Sequence, residues 1–304
     1  MRIGIVLLPQ DRWPEARRRW LRAEEYGFDH AWTYDHLSWR SLVDEPWFAT
    51  VPLLAAAAAV TERIRLGTWV ASPNFRHPVP FAKDLMGLDD ISGGRLIAGI
   101  GAGGTGFDAE VLGPGPSPAV RADRYAEFVD LLDRLLTSPV TDVSGEHWSA
   151  HGARMIPGCV QRPRVPFALA ANGPRALRLA ARKGDGWVTY GPSVDGDGGA
   201  AAQEEWWQGL ERLSCRFDDA LTEVGRTGAV DRYLNLDGAP LYSLGSLALL
   251  HEGIERAAAL GFTDVVVHWP RADGIYGGDP GVLEEVAASL PAWQAIVPQE
   301  RPAA

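Results

Sequence analysis

Between Arg63 and Gly104 the chain reads RIRLGTWVASPNFRHPVPFAKDLMGLDDISGGRLIAGIGAGG, and this stretch restricts the fold more than any other. Its two apolar runs, Ile64 to Ala71 and Arg95 to Ile100, are suited to strands covered on both faces. Between them Ala82, Leu85, Met86 and Asp89 recur at helical spacing, and three of these four are apolar. Two such strands joined through a helix form a parallel βαβ unit, because a parallel pair needs a long crossover. The loop after the first strand carries Ser72, Pro73, Asn74, Phe75, Arg76 and His77, a mixture plain connectors seldom hold. It is expected to form the wall or floor of a site.

The same alternation runs through the rest of the chain. Arg2 to Leu8 reads as a first strand, followed from Pro14 by a helix with Ala16, Trp20, Ala23 and Gly27 on one face. Phe28 to Tyr34 is a second strand that delivers Asp35 and His36 at its carboxyl end. Pro52 opens an Ala-rich helix to Val60. Beyond the βαβ unit, a Gly/Pro-rich loop runs to Pro118 and precedes a strongly periodic helix with Tyr125, Phe128, Val129, Leu132, Leu135 and Leu136. A hairpin is expected near Val140–Trp148, and a strand at Phe167–Ala171. A helix then starts at Pro174, which suits a first turn. Further strands are expected at Gly186–Tyr190, Val230–Leu236 and Asp264–His268. Helices are expected over Glu204–Val224, Ser246–Leu260 and Gly281–Leu290. The run SVDGDGGAAA at 193–202 reads as a lid or a disordered tip.

Eight strand candidates alternating with helices, without a break in composition, indicate an α/β chain forming a single (β/α)8 TIM barrel over residues 1–304. An open doubly wound sheet is the alternative. The chain has 304 residues, 46% hydrophobic and 22% charged, enough to bury a large core. A net charge of −10 and no basic run longer than Arg17-Arg18-Arg19 argue against a nucleic-acid partner. The two cysteines, Cys159 and Cys215, are far apart and form no CxxC, which fits a reducing, cytoplasmic setting. No segment is long enough to span a membrane.

In a barrel of this kind the chemistry lies at the carboxyl ends of the strands. Those ends supply Tyr34-Asp35-His36, Ser72 to His77, Ala102 to Thr105, Asn172-Gly173, Asp237-Gly238 and His268-Trp269. The cluster GIGAGG satisfies the bare GxGxxG pattern, but it follows the fourth strand and not the first, where a dinucleotide fingerprint belongs. There is no G-x-S-x-G elbow and no Walker lysine. His147 and His151 stand four apart in a loop without further ligands, so no metal is expected. An imidazole side chain in general titrates near neutral pH, which makes His36, at a barrel mouth, a candidate for proton transfer. Asp35 either contacts a cofactor or caps its loop. His77 either enters the site or orders the loop before Pro78. Arg76, Arg40 and Arg175 either meet an anion or, slightly favoured for each, stay solvated. Trp39, Trp69 and Trp269 either shape a pocket for a planar ring or pack in the core. Cys159 is read as a spectator thiol.

Three segments carry a family resemblance: FDHAWTYDH, the Arg63–Gly104 stretch, and GCVQRPRVPFALAANGPRALRLAARKGDGWV. Together they resemble the luciferase-like monooxygenase superfamily, the barrel family of bacterial luciferase and the coenzyme F420-dependent oxidoreductases. The resemblance covers most of residues 1–190, with weaker support from LHEGIERAAALGFTDVVVHWP. It implies a bacterial-luciferase-like barrel that binds F420, or alternatively FMN, across the strand ends and transfers hydride to or from a small-molecule substrate. Asp35-His36 followed by Trp39 resembles the pattern of F420-dependent sugar-phosphate dehydrogenases, which implies Asp35 on the deazaflavin and His36 as acid/base.

By the same comparison, Trp69-Val70 falls where the family often has a non-prolyl cis peptide beside the ring, with Ala71 next to it. Ala102, Gly103 and Gly104, and Ala171, Asn172 and Gly173, correspond to backbone that grips the cofactor. Trp39, His77 and Trp269 are the substrate-side candidates. Gly104 stands where the sugar-phosphate enzymes have a glutamate, and the interval from His36 to Trp39 is one residue shorter. An FMN-dependent monooxygenase and a non-catalytic flavin- or deazaflavin-binding barrel remain alternatives. The family also implies a possible homodimer.

Overall fold

The apolar runs become parallel strands whose hydrogen-bonding order closes on itself. The computed structural model describes residues 1–194 and 198–300. Its strands are β1 (Arg2–Val6), β2 (His30–Thr33), β3 (Arg65–Thr68), β4 (Leu96–Ile100), β5 (Val140–Ser144), β6 (Ser149–Arg154), β7 (Phe167–Ala170), β8 (Gly186–Thr189), β9 (Asp231–Asn235) and β10 (Asp264–His268). The helices are α1 (Trp13–Tyr26), α2 (Thr50–Val60), α3 (Pro78–Ile91), α4 (Phe107–Glu110), α5 (Pro118–Thr137), α6 (Pro174–Lys183), α7 (Ala200–Glu223), α8 (Leu247–Ala259) and α9 (Val282–Gln294). The closed order is β1-β10-β9-β8-β7-β4-β3-β2, with β5 and β6 as a separate antiparallel pair. This is the (β/α)8 barrel, not the open sheet.

The contacts divide into two units. One comprises Met1–Leu7, Arg22–Ala31 and Ala171–Ala304; the other comprises Leu8–Leu21 and Trp32–Ala170. In the second unit β3 pairs with β4 through Leu66 and Leu96, and β4 pairs with β7 through Gly99 and Ala168. Three glycines there are steric requirements. A Cβ on Gly67 would sit 2.3 Å from the Trp32 ring, one on Gly99 1.9 Å from the Thr68 carbonyl, and one on Gly101 2.7 Å from Val70 Cγ2. The GIGAGG cluster therefore lets β4 approach β3 and the segment after it. Tyr125 of α5 is buried and donates its hydroxyl to the carbonyls of Ile100 (3.0 Å) and Ala170 (3.3 Å). Asp89, the polar member of the apolar face of α3, is buried because it accepts from the amide and the side chain of Gln161, at 3.0 and 2.7 Å. Ser117 caps α5, and Pro118 occupies its first turn.

In the first unit β10 lies between β1 and β9, with Val6 opposite His268 and Asp264 opposite Tyr233. Buried Asp264 accepts from Arg2 Nε (2.7 Å) and faces His30 Nε2 at 2.9 Å. Burial alone would raise the Asp264 carboxyl, but hydrogen bonds from His30 and Arg2 outweigh it and hold it below the usual carboxylate range. Trp187 stacks on Phe217 at 4.4 Å and on Phe262 at 5.5 Å, forming the aromatic core of this unit.

Several boundaries differ from expectation for identifiable reasons. The loop before Pro118 contains a one-turn helix, α4, tied down by one of its own carboxylates, as described below. The 193–202 run divides: residues 195–197 lie outside the described residues, while Ala200 already begins α7. Helix α9 continues through Pro291 to Gln294, carried by buried Trp293, whose indole donates to His251 Nδ1 at 2.9 Å. The hairpin extends to Arg154, with Thr141 on one strand and Ala150 on the other buried. Among the described residues no helix is long and apolar enough to cross a membrane.

Candidate active site

Strand β2 is short, and its last residues lead into Tyr34, Asp35 and His36. Asp35 is 1% exposed and is held by Arg76 from the loop after β3: Nε donates at 3.0 Å and Nη2 at 2.6 Å. Arg76 also lies 3.8 Å from Asp84 and packs over Phe75 and Phe81, at 5.0 and 5.3 Å from the ring centres. Burial works against its charge, yet the hydrogen bonds and field of Asp35 outweigh that and keep the guanidinium above its usual range. Sequence reasoning slightly favoured a solvated Arg76; a bidentate partner on an adjacent strand end draws it inward instead.

His36 meets a residue the sequence did not single out. Its Nδ1 pairs with Asp108 Oδ2 of α4, and Asp108 Oδ1 accepts from the amides of Leu37 (2.7 Å) and Ser38 (3.4 Å). The His36 side chain keeps 21% exposure, against 9% for Asp108. The His36 carbonyl accepts from the Trp47 indole at 2.8 Å, and Tyr34 meets the imidazole edge-on at 5.7 Å. No described residue hydrogen-bonds Nε2. Tyr34 also contacts Trp39 at 5.3 Å, and the Arg40 guanidinium lies over Trp39 at 4.9 Å, so Trp39 is part of this aromatic cluster.

The Trp69–Val70 peptide is cis, at the position the family resemblance indicated. Trp69 is buried against Trp32, with ring centres 4.8 Å apart. Ala71 extends the sheet by accepting the Gly101 amide and donating its own to the Gly99 carbonyl, both at 2.8 Å. Gly103 has φ +77°, and a Cβ on it would lie 2.6 Å from the Asn74 side chain, whose amide donates to the Gly104 carbonyl at 3.1 Å. Gly104 is exposed, and a Cβ there would meet nothing within 4 Å. His77 caps α3, its Nδ1 accepting from the Val79 amide at 3.2 Å, and its ring meets Trp148 edge-on at 5.2 Å. Burial lowers its pKa, in keeping with a neutral ring that accepts.

The remaining sequence candidates lie in the first unit. The Ala171 amide donates to the Val188 carbonyl at 3.0 Å. Asn172 spans β8, donating to the Gly191 carbonyl and accepting from the Thr189 hydroxyl, both at 2.7 Å. Gly173 precedes Pro174 at the start of α6 and is exposed. Trp269 follows β10, its amide bound to the Val6 carbonyl at 2.9 Å and its ring stacked on Tyr26 at 6.3 Å. Asp237 accepts from the His268 amide at 2.6 Å and faces His268 Nδ1 at 2.9 Å, fully buried.

A model of the luciferase-like monooxygenase family matches residues 1–228. The chain belongs to this family. Among family relatives, an F420-dependent glucose-6-phosphate dehydrogenase of Beutenbergia cavernae is 38% identical over 176 residues, 55% of this chain and 49% of that protein. A 4-hydroxyprotoasukamycin monooxygenase of Streptomyces nodosus subsp. asukaensis is 33% identical over 223 residues, 70% of this chain and 54% of that protein. The match thus spans about half the length of these curated relatives. Among solved structures, an F420-dependent secondary alcohol dehydrogenase in complex with an F420-acetone adduct superposes with a TM-score of 0.77 at 18% identity. It covers 96% of this chain and 98% of that one, and establishes the shared barrel fold.

Proposed function

We propose that this family member is a coenzyme F420-dependent oxidoreductase that moves hydride between the deazaflavin and a small organic substrate, with His36 taking or giving the matching proton. The observation that carries the reading is the condition of His36. One ring nitrogen is fixed on a carboxylate, and the other has no hydrogen-bond partner among the described residues, beside Asp35 at a strand end. The names of the sequence relatives support the cofactor. The local backbone leaves room for a flat ring with a polar edge: a Cβ on the bare, exposed Gly104 would meet nothing, so a ligand can approach the chain closely there. In this reading Asp35, Trp69–Ala71 and Ala102–Gly104 hold the cofactor, which when bound supplies the hydride acceptor or donor. Arg76 neutralises Asp35 and keeps the loop after β3 in place. Trp39 forms a substrate wall.

The loops after β2 and β4 expose Leu37, Val43, Phe48, Phe107, Val111 and Leu112, while Arg76 is committed to Asp35. These features favour a substrate with apolar flanks over a sugar phosphate. The test is fluorescence titration with F420 and FMN, followed by turnover of a panel of apolar alcohols and glucose 6-phosphate, monitored through the deazaflavin absorbance. F420 binding is expected, with His36→Ala slowing turnover by about 10²–10⁴-fold at unchanged cofactor affinity. Tight FMN binding with oxygen-dependent product would sink the proposal in favour of a monooxygenase. F420 binding without turnover of any substrate would leave a binding barrel.

A further inference from the structure

We infer that Asp108 is a positioning residue that holds His36 in the Nδ1–H tautomer, so that Nε2 faces the substrate as a bare acceptor. The inference rests on the proposed reading of His36 as the proton-handling group. An ionised carboxylate only accepts hydrogen bonds. Asp108 Oδ1 takes the amides of Leu37 and Ser38, and Oδ2 faces the imidazole Nδ1, so that nitrogen carries the proton of the neutral ring. The lone pair is then left on Nε2.

A second role for the same carboxylate, stapling the 36–38 backbone to α4, follows from the same contacts. The ring, however, has restraints of its own. Trp47 holds the His36 carbonyl, and Tyr34 packs against the imidazole edge. Neighbouring Glu110 on the same turn is exposed, so Asp108 alone of the two carboxylates is placed for the task. The chemistry then follows. For an alcohol substrate the O–H proton would pass to Nε2 as the C=O bond forms, and oxidised F420, when bound, would supply the acceptor for the hydride released from the C–H bond. The imidazolium so produced is flanked by the Asp108 carboxylate, which stabilises it without taking its proton.

Asp108→Asn separates the two roles. The amide oxygen can still accept from Leu37 and Ser38, but its NH2 group would face Nδ1, which must then accept, moving the ring proton to Nε2. The staple survives and the tautomer inverts. The experiment is long-range nitrogen-15 NMR of the ligand-free protein at a pH where the ring is neutral, with the His36 signals assigned by their loss in His36→Ala. Wild type is expected to show a protonated Nδ1 and a bare Nε2, and Asp108→Asn the reverse. Asp108→Asn should also lower kcat by about 10²–10⁴-fold with KM and F420 affinity changed only a few-fold.

A wild-type ring protonated on Nε2 would overturn the inference, and this needs no variant to fold. An Asp108→Asn protein with unaltered tautomer and turnover, alongside a crippled His36→Ala, would overturn it while leaving the role of His36 standing. Full turnover in His36→Ala would overturn the proposed role of His36, and with it any catalytic role for Asp108, whatever the tautomer.

Discussion

Replacing Arg76 by Met should destabilise the protein by about 3 kcal/mol, and the reason lies in the partner it leaves behind. Asp35 is 1% exposed and receives two hydrogen bonds, at 3.0 and 2.6 Å, from this one guanidinium. Removing one member of a buried ion pair costs about 3–5 kcal/mol, mostly because the other charge remains buried alone. The lower end applies here, because the Arg76 side chain keeps 19% exposure and water can reach the pair. Methionine would preserve much of the packing over Phe75 and Phe81, forgoing a cation–π contribution of about 0.5–1 kcal/mol. At about 2 °C per kcal/mol for a chain of this size, Tm should fall by roughly 6 °C. Urea unfolding followed by tryptophan fluorescence, with scanning calorimetry alongside, measures both. The decisive control is the double variant Asp35→Leu/Arg76→Met, which removes the stranded charge and should be more stable than Arg76→Met alone. A single variant within about 1 kcal/mol of wild type, or a double variant weaker than the single, would refute the reasoning. Weakened F420 binding at unchanged stability would instead make Arg76 a ligand for an anion.

The Asp264 carboxyl, held below its usual range by His30 and Arg2 against the cost of burial, stays ionised to lower pH in the folded than in the unfolded chain. Its contribution is therefore present above about pH 4 and lost as pH falls through the folded value. Stability measured against pH should show this acid limb, and Asp264→Asn should flatten it. Gly99→Ala would place a Cβ 1.9 Å from the Thr68 carbonyl and should cost about 3 kcal/mol or abolish folding, judged by soluble yield and urea melts. Tyr125→Phe, which strips the Ile100 and Ala170 carbonyls of their shared donor, should cost about 1–2 kcal/mol by the same melts without altering F420 affinity.

The barrel was legible because its strands are the runs that must be covered on both faces, and a period-two or uninterrupted apolar pattern shows this without any tertiary knowledge. Asp35 and His36 were legible for a related reason: position at a strand end follows once the strands are placed. Their partners were not. Arg76 lies 41 residues from Asp35, and Asp108 lies 72 from His36, in loops whose path depends on how β3 and β4 sit beside β2. Asp108 was further hidden by a Gly/Pro-rich setting that reads as irregular, although a single helical turn, α4, points its carboxylate at two amides and an imidazole. The GIGAGG cluster shows the converse hazard. Its pattern suggests phosphate, whereas Gly99 and Gly101 are glycines because Thr68 and Val70 occupy the space a side chain would need. Pattern alone reports that a backbone is bare; only the neighbours tell whether another strand or a ligand fills the gap. By that criterion Gly104, where a Cβ would meet nothing, is the member of the cluster whose substitution best discriminates. Gly104→Ala should leave stability nearly unchanged, and a loss of F420 affinity on its introduction would mark this backbone as cofactor-facing.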